Sequence, residues 1–376
     1  WINQSGNGWA PEPIVISGTP PLTSTGTVRV IDLEGSGVSG ILWSRTATES
    51  THSHMRFLDF TGGSKPYLLN RMTDNMGAET RVEYRPSTHD YLRDQKQSTS
   101  RWSTTLPFPV QVVARVEVID HLSRGKLTTE YHYHHGYWDG AEREFRGFGM
   151  VEQFDTETFE SYNAHGLHGP DIAFEGFNSP GRRKQFSPPT LIKSWFHQGP
   201  VGDEFGDWKE QDYSLQFWPE DPPALFRSTE FAKWLDQLPR RVRRDALRTL
   251  RGSLLRTELY ALDGTEREDR PYTVTEAVYG VREESIAEVP TPSRHRIFFP
   301  FAIAQRSTQW ERGDDPITQL SFVGDYDAYG LPRKQMTIAV PRGRNYRVES
   351  GRTDSYLATL SETVYAQRDD VDHYMV

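Results

Sequence analysis

The feature that most constrains this chain is a two-residue alternation sustained through long stretches of it. In "VQVVARVEVID", Val110 to Asp120, the side chains of Val112, Ala114, Val116 and Val118 share one face, and Val113, Arg115 and Glu117 the other. "LTTEYHYHHGYWDG", Leu127 to Gly140, keeps the same period. Tyr131, Tyr133, His135 and Tyr137 point one way, His132 and His134 the other. A helix would scatter such residues around its circumference, so the pattern calls for strands. The Asp-Gly step at Asp139 offers a turn, and "EREFRGFGMVEQFD", Glu142 to Asp155, reads as the next strand.

Other segments extend the reading. "VRVIDLEGSGVSGILW", Val28 to Trp43, is strand, glycine turn, strand. "FLDFTGGSKPYLL", Phe57 to Leu69, echoes it, with Asp59 in the place of Asp32. Repetition of this kind suggests stacked hairpins, or blades, sharing a core. Further strands are expected at "TRVEY", "TLIKSWFHQG", "RTELYALDG", "YTVTEAVYGV", "RHRIFFPFAI", "ITQLSFVGDYDAYGLPRKQMTIAV" and "YRVES". The 30 Gly and 24 Pro, with aromatics at 12%, fit strands joined by turns. Residues 160–225 are rich in Gly, Pro and Asp and read as long loops, broken by one strand. Two helices are expected after them. "STEFAKWLDQL" sets Phe231, Trp234, Leu235 and Leu238 at helical spacing behind a Ser228 or Thr229 cap. Pro239 then opens "RRVRRDALRTLRGSLL", with Val242, Ala246, Leu250 and Leu254 on one stripe.

Composition narrows the chemistry. With no cysteine, disulfides, zinc–thiolate centres and cysteine nucleophiles are excluded. A net charge of −9 argues against a dedicated nucleic-acid binder. "IFFPFAIA", Ile297 to Ala304, is far shorter than the ~20 apolar residues that span a bilayer. The start at Trp1, without an initiator Met or signal-peptide pattern, reads as a processed product or a piece of a longer chain.

Several motifs have a chemical and a structural reading. A dinucleotide loop at "RGFGMVE" would need a third glycine opening a helix, but Glu152 stands there and the following residues alternate. Glu142 and Glu144 would lie on one strand face roughly 7 Å apart, between the two carboxylate spacings of glycosidases. Any Glu-x-Glu on a strand meets that condition, and pairing with Arg143 and Arg146 at a solvated edge is the simpler reading. His132 and His134, joined by Asp139 or Glu142, could bind a metal, but aromatic–His strand faces are usually packing or cross-strand pairs, and that is the simpler reading. "DLEGSG" offers Asp32 and Glu34 to a calcium ion, but Ser36 replaces an acid and no bidentate Glu closes the loop. Arg240, Arg241, Arg243, Arg244, Arg248 and Arg251 surround one acid, Asp245, on the second helix. This is either a nucleic-acid surface or an ion-paired face. Gly147 and Gly149 flank Phe148 in a strand, where glycine marks a bulge or a close approach. No catalytic, cofactor-binding or metal-ligating residues are assigned.

Taken together, "LDFTGGSKPYLLNRM", "MGAETRVEYRPST", "LPFPVQVVARVEVID", "YHYHHGYWDGAEREFRGFGMVEQFDTE", "KSWFHQG", "RGSLLRTELYALDG" with "PYTVTE", and "FFPFAIAQRSTQWERGDDP" resemble the middle region of the insecticidal toxin complex B component. That region is shared with Salmonella-type virulence proteins. The resemblance runs in order from about Val28 to about Arg347. It implies a mainly β fold: the end of a β-propeller-like hairpin unit (FG-GAP-like), then Rhs/YD-type β-shell strands, with a small helical insertion near 228–254. The implied divisions are 1–70 for the blade segment, 71–225 for the first shell region, 226–256 for the helices and 257–376 for continuing shell. "GDYDAYGLP", Gly324 to Pro332, is similar to a YD-type turn through Tyr326, Asp327 and Gly330.

The function implied is structural: a non-catalytic part of a shell that encloses a toxic C-terminal cargo and helps dock it to a pore. The implied partners are the toxin complex C component and the pore-forming A component, with no nucleic acid, no cofactor and no direct membrane insertion. Secretion, after a cytoplasmic stage, is implied with them. One or two blades do not make a propeller, which needs about four to eight, so the chain would act inside something larger. The alternative is a secreted glycan-binding or carbohydrate-active β protein, using Glu142 and Glu144 as acids and Trp138 or Trp195 as stacking platforms.

Overall fold

The structure is a computed structural model. It describes all residues except 5, 23, 46–53, 99, 123–124, 156–187, 204, 285–295, 343–354 and 367–376. The expected strand "YRVES" and the first part of the expected loop region lie outside the described residues. The chain divides into two compact units, Trp1–Leu68 with Phe108–Gln111, and Leu69–Pro107 with Val112–Val376.

The smaller unit holds one antiparallel meander of β1 (Thr27–Ile31), β2 (Gly40–Ser44) and β3 (Met55–Leu58). Thr27 faces Ser44 and Ile31 faces Gly40; Ile41 faces Leu58. Gly40 is required by packing, because a Cβ there would lie 2.3 Å from the Leu58 carbonyl oxygen. The expected second hairpin after Asp59 does not form. The β2–β3 ladder ends at Leu58, Tyr67 takes a positive φ of 64° and is almost wholly exposed, and no strand covers Tyr67 to Leu69. The segment from Phe57 instead supplies β3 to the first sheet.

The larger unit is built on a twelve-stranded antiparallel sheet. Its strands are β4 (Arg71–Thr73), β5 (Ala78–Pro86), β6 (Gln111–Asp120), β7 (Gly125–Asp139), β8 (Glu144–Asp155), β9 (Thr190–Phe196), β12 (Leu254–Ala261), β13 (Thr273–Glu284), β14 (Ile297–Gln309), β15 (Ile317–Tyr326), β16 (Pro332–Val340) and β17 (Leu357–Glu362). They lie in sequence order, so each pairs with its neighbour in the chain. The interruption is a small hairpin, β10 (Pro200–Gly202) and β11 (Trp208–Glu210), between β9 and β12. The fold is therefore mainly β, as the alternation requires. Neither β4 nor β17 has a further partner among the described residues.

Among the described residues three α-helices interrupt the strands: α1 (Thr88–Gln95), α2 (Thr229–Gln237) and α3 (Arg240–Arg248). The periodicity of α2 holds. Ser228 accepts from the Phe231 amide at 3.2 Å as its cap, and Phe231, Trp234, Leu235 and Leu238 pack into one cluster with Ala246, Leu247, Leu250 and Val281. α3 is shorter than its apolar stripe implies. Gly252 takes a φ of 80°, and Leu254 begins β12 instead of continuing the helix. α1 was not expected among strands; its buried positions are Asp90 and Asp94 rather than apolar residues.

Alternation also fails at one point in β7. His135 has a φ of 57°, and the register between β7 and β8 shifts between Gly136 and Trp138. His134 and His135 are consequently both buried, against different neighbours. The other bulge-like glycine, Gly149, is set by close approach: a Cβ would lie 2.0 Å from the Tyr213 hydroxyl.

Candidate functional site

The two motifs with the most chemical promise, the acid pair and the arginine helix, turn out to be each other's partners. Asp139 ends β7. One of its carboxylate oxygens accepts the amides of Ala141 and Glu142 at 3.1 and 3.3 Å, which shapes the turn. The other accepts Nη2 of Arg146 at 2.6 Å and Nη2 of Arg244 at 2.5 Å. All three side chains are buried. Arg146 is therefore not at a solvated edge. Burial lowers its pKa, opposed by Asp139 and Glu144.

Glu142 and Glu144 do not form a strand-face pair. Arg143 between them has a φ of 54°, so Glu142 belongs to the turn and β8 begins at Glu144. Arg248 of α3 bridges them, with Nη1 3.1 Å from Glu142 and Nε 3.2 Å from Glu144. Arg251 reaches Glu144 at 2.8 Å and Arg146 Nε lies 3.1 Å from it. The Glu144 Oε2 contacts are charge pairing without hydrogen-bond alignment. Glu144 is thus set among three guanidiniums. The remaining arginines are also engaged. Arg243 pairs with Asp236 at 2.8 Å, and Arg240 and Arg243 lie over the Trp208 ring.

The stacking platforms fare similarly. Trp195 is completely buried, its indole N–H donating to Gln216 at 3.1 Å, so it offers no face to a sugar. Trp138 stands opposite Phe145 within the β7–β8 pair.

The histidines join a different cluster. His134 Nδ1 is 2.7 Å from Asp94 of α1 and its Nε2 3.4 Å from Glu152; His132 Nδ1 is 3.8 Å from Glu152. Asp94 also accepts from the Trp102 indole at 2.7 Å. Burial opposes the charge on His134, but the Asp94 and Glu152 carboxylates prevail and raise its pKa. His132 is lowered to about 4, first by burial and then by Arg93 and Arg85. His135, between Ser103 and Gln216, is lowered to about 4, again first by burial. Asp139 and Glu142 are not part of this group, and no cluster suited to a metal ion occurs among the described residues.

The calcium-like loop satisfies itself. Asp32 accepts the amides of Ser36 at 2.9 Å and Gly37 at 2.7 Å, and Asp59 does the same for Thr61 and Gly63. Tyr326 and Asp327 act together at the β15–β16 turn. Asp327 accepts the amides of Tyr329 and Leu331, both at 2.9 Å; Gly330 has a φ of 81°; and the Tyr326 hydroxyl donates to the Ala302 carbonyl at 2.7 Å.

A further polar layer was not foreseen. Glu258 accepts the Trp218 amide at 2.9 Å, and Glu276 accepts those of Ala224 and Leu225 at 3.0 Å. Arg306 joins Glu276 to Asp221 at 2.7 and 2.6 Å. These buried charges pin the segment from Trp218 to Leu225 onto one face of β12, β13 and β14. A readable signal existed in part. "DGAERE" at Asp139 recurs as "DGTERE" at Asp263. Asp263 likewise accepts an amide of its turn, from Thr265 at 3.1 Å, and a guanidinium, from Arg312 at 2.6 Å. The arrangement as a whole fastens turns, helices and loops to a sheet.

Known proteins give the same picture. The family model described as insecticide toxin TcdB middle/N-terminal region matches residues 3–165, and that of the middle/C-terminal region matches residues 245–374. Among solved structures, the crystal structure of TcdB2-TccC3-Cdc42 is similar at 29% identity and a TM-score of 0.68, over 94% of this chain and 16% of that one. That of TcdB2-TccC3 matches at 28% identity and 0.68 over the same shares. The Photorhabdus luminescens Tc holotoxin pore matches at 28% and 0.66, over 92% of this chain and 15% of that one. The chain thus spans about a sixth of the length of these proteins. No curated protein matches it.

Proposed function

The chain belongs to the insecticide toxin TcdB middle-region family, and from that premise we propose that it is a non-catalytic structural segment of a toxin-complex B component. It forms part of a β-shell of Rhs/YD type around a toxic C-terminal cargo and helps dock that cargo to a pore-forming component. Its partners are then a C component like TccC3 and a pore-forming A component. The whole complex acts outside the producing cell.

The observation that carries this reading is the in-order twelve-stranded sheet, with the outer edges of β4 and β17 without a further partner among the described residues and apolar side chains standing exposed at one end. Leu357 and Leu360 of β17 are 71% and 57% exposed. Such a sheet is built to be continued. The charge clusters favour a structural role, since each acid with catalytic promise is bound to arginine. No helix among the described residues is long and apolar enough to cross a membrane.

The test is co-expression of the full-length protein carrying this segment with its C component. The expected result is a co-purified complex in which the cargo resists protease until the complex is unfolded. Separate purification, with the cargo cleaved as fast as when free, overturns the reading.

A further inference from the structure

Where β2 ends and β3 begins, the smaller unit contains a cavity of about 180 Å³, walled by Pro20, Pro21, Trp43, Arg45, His54 and Arg56. Trp43 stands opposite Arg56, and the Arg45 amide donates to the His54 carbonyl at 2.8 Å, so the pairing runs on to those two residues. Residues directly opposite share a face of an antiparallel pair, and so do residues two apart on one strand. The four side chains therefore form a two-by-two block on one face. Two guanidiniums hold one diagonal, and the indole and the imidazole hold the other.

Like charges gathered this way repel unless an anion neutralises them. Among the described residues no acid pairs with Arg45, His54 or Arg56, and none lines the cavity. Arg45 is held in place, because its Nη2 donates to the Pro21 carbonyl at 2.9 Å. Its other N–H groups are left for a ligand. Arg56 and His54 are exposed, while Arg45 and Trp43 are half-buried.

The donors select the ligand. A neutral sugar needs acceptors as well as donors, and no side-chain carboxylate or amide of a described residue lines the cavity. A nucleic-acid strand needs cations spread along its phosphates, whereas these converge on one spot. A single carboxylate or phosphate fits, since it can accept charge-assisted bonds from both guanidiniums at once. The indole and the two prolines add an apolar wall that a bare inorganic ion would leave unused. The volume is below the ~300–1,000 Å³ usual for drug-sized ligands, which limits the apolar part to about one ring.

We propose that this cavity is a binding site for a small organic oxyanion, a carboxylate or phosphate carried on a flat ring. The oxyanion bridges Arg45 and Arg56, and the ring lies against Trp43. The inference stands apart from the shell reading.

The test uses the full-length protein carrying this segment. Ligand-observed NMR titrations follow phenyl phosphate and benzoate. Benzyl alcohol supplies the ring without the charge, and inorganic phosphate the charge without the ring. The expected result is saturable binding of phenyl phosphate and benzoate, weakened by salt and weakened about tenfold or more by Arg56→Gln. Arg56 is exposed and has no ion-pair partner among the described residues, so this variant keeps the fold. Arg45→Lys, which keeps the charge and loses the fork, should weaken phenyl phosphate less than Arg45→Gln does. Trp43→Leu should bring phenyl phosphate toward the affinity of inorganic phosphate. Absence of binding to the parent overturns the site. Binding unchanged in both Arg56→Gln and Arg45→Gln overturns its location. Benzyl alcohol binding as tightly as benzoate overturns the role of the cations. Inorganic phosphate binding as tightly as phenyl phosphate overturns the role of the ring.

Discussion

Arg244 of α3 donates to Asp139 at the end of β7 at 2.5 Å, joining residues 105 positions apart in the chain, and both side chains are buried. Arg146 shares the same carboxylate oxygen. Asp139→Asn would remove the carboxylate shared by two buried guanidiniums, leaving Arg146 only its contact with Glu144. Breaking a buried pair in this way costs about 3–5 kcal/mol. Arg244→Met keeps the volume and leaves Asp139 paired with Arg146, so about 1–3 kcal/mol is expected. Urea unfolding midpoints check the order, with Asp139→Asn the lower of the two.

Acid should loosen the β7 region through its neutral histidines. His132 and His135 are held at about 4, mainly by burial, against an ordinary 6.5. Between those values the unfolded chain takes up protons that the folded chain refuses. Their contribution is therefore full above about 6.5 and is lost as pH falls toward 4. For the enclosed His135 this is on the order of 3 kcal/mol at most. His134 has the opposite sign: with its pKa raised, its contribution is present below 6.5 and lost as pH rises through the raised value. Thermal midpoints measured from pH 4 to pH 8 should show His135→Gln losing less on acidification than the parent. His134→Gln should lose less on the alkaline side.

The strands were legible because alternation survives in single residues, and the apolar stripe of α2 was legible for the same reason. α1 was not. Its inward side is Asp90 and Asp94, bound to Arg85, Arg93 and His134, so hydrophobic periodicity carries no trace of it. The flip at His135 depends on one positive φ that no side-chain pattern announces. Each half of the Asp139 cluster could be seen, as an acid-rich turn and an arginine-rich helix. Their union could not, because it depends on the tertiary packing that brings α3 against the β7–β8 turn.

Two glycines in one strand should respond differently to alanine. At Gly149 a new Cβ would lie 2.0 Å from the Tyr213 hydroxyl and 2.6 Å from its ring. Tyr213 is buried and hydrogen-bonded to Gln198 at 2.7 Å, so it cannot swing aside without loss. Gly149→Ala is expected to cost more than about 3 kcal/mol, beyond ordinary overpacking. At Gly147 nothing lies within 4 Å, but φ is 81°. The backbone alone sets the penalty there, about 1 kcal/mol. Tyr213→Ala should partly rescue Gly149→Ala and leave the effect of Gly147→Ala unchanged. A double-mutant cycle in denaturant measures both.

Replacing Glu142 and Glu144 together with Gln separates fastening from chemistry. Both side chains are about a quarter exposed and face Arg248, while Glu144 also meets Arg251 and Arg146. Partly exposed pairs contribute little each, about 0–1 kcal/mol. The shared arginines add to the effect, so the double variant should lose roughly 1–2 kcal/mol in all. Because these pairs are partly screened, the difference from the parent should shrink in high salt. The fastening role predicts that the loss appears as easier detachment of α3 and faster amide exchange in Arg240 to Arg248, with β12 to β16 unaffected. A glycan-active role predicts the reverse: unchanged exchange in α3, with the parent protein turning over a glycoside and the double variant failing to do so. Hydrogen exchange of the two proteins at matched salt, run beside a glycosidase assay, decides between them.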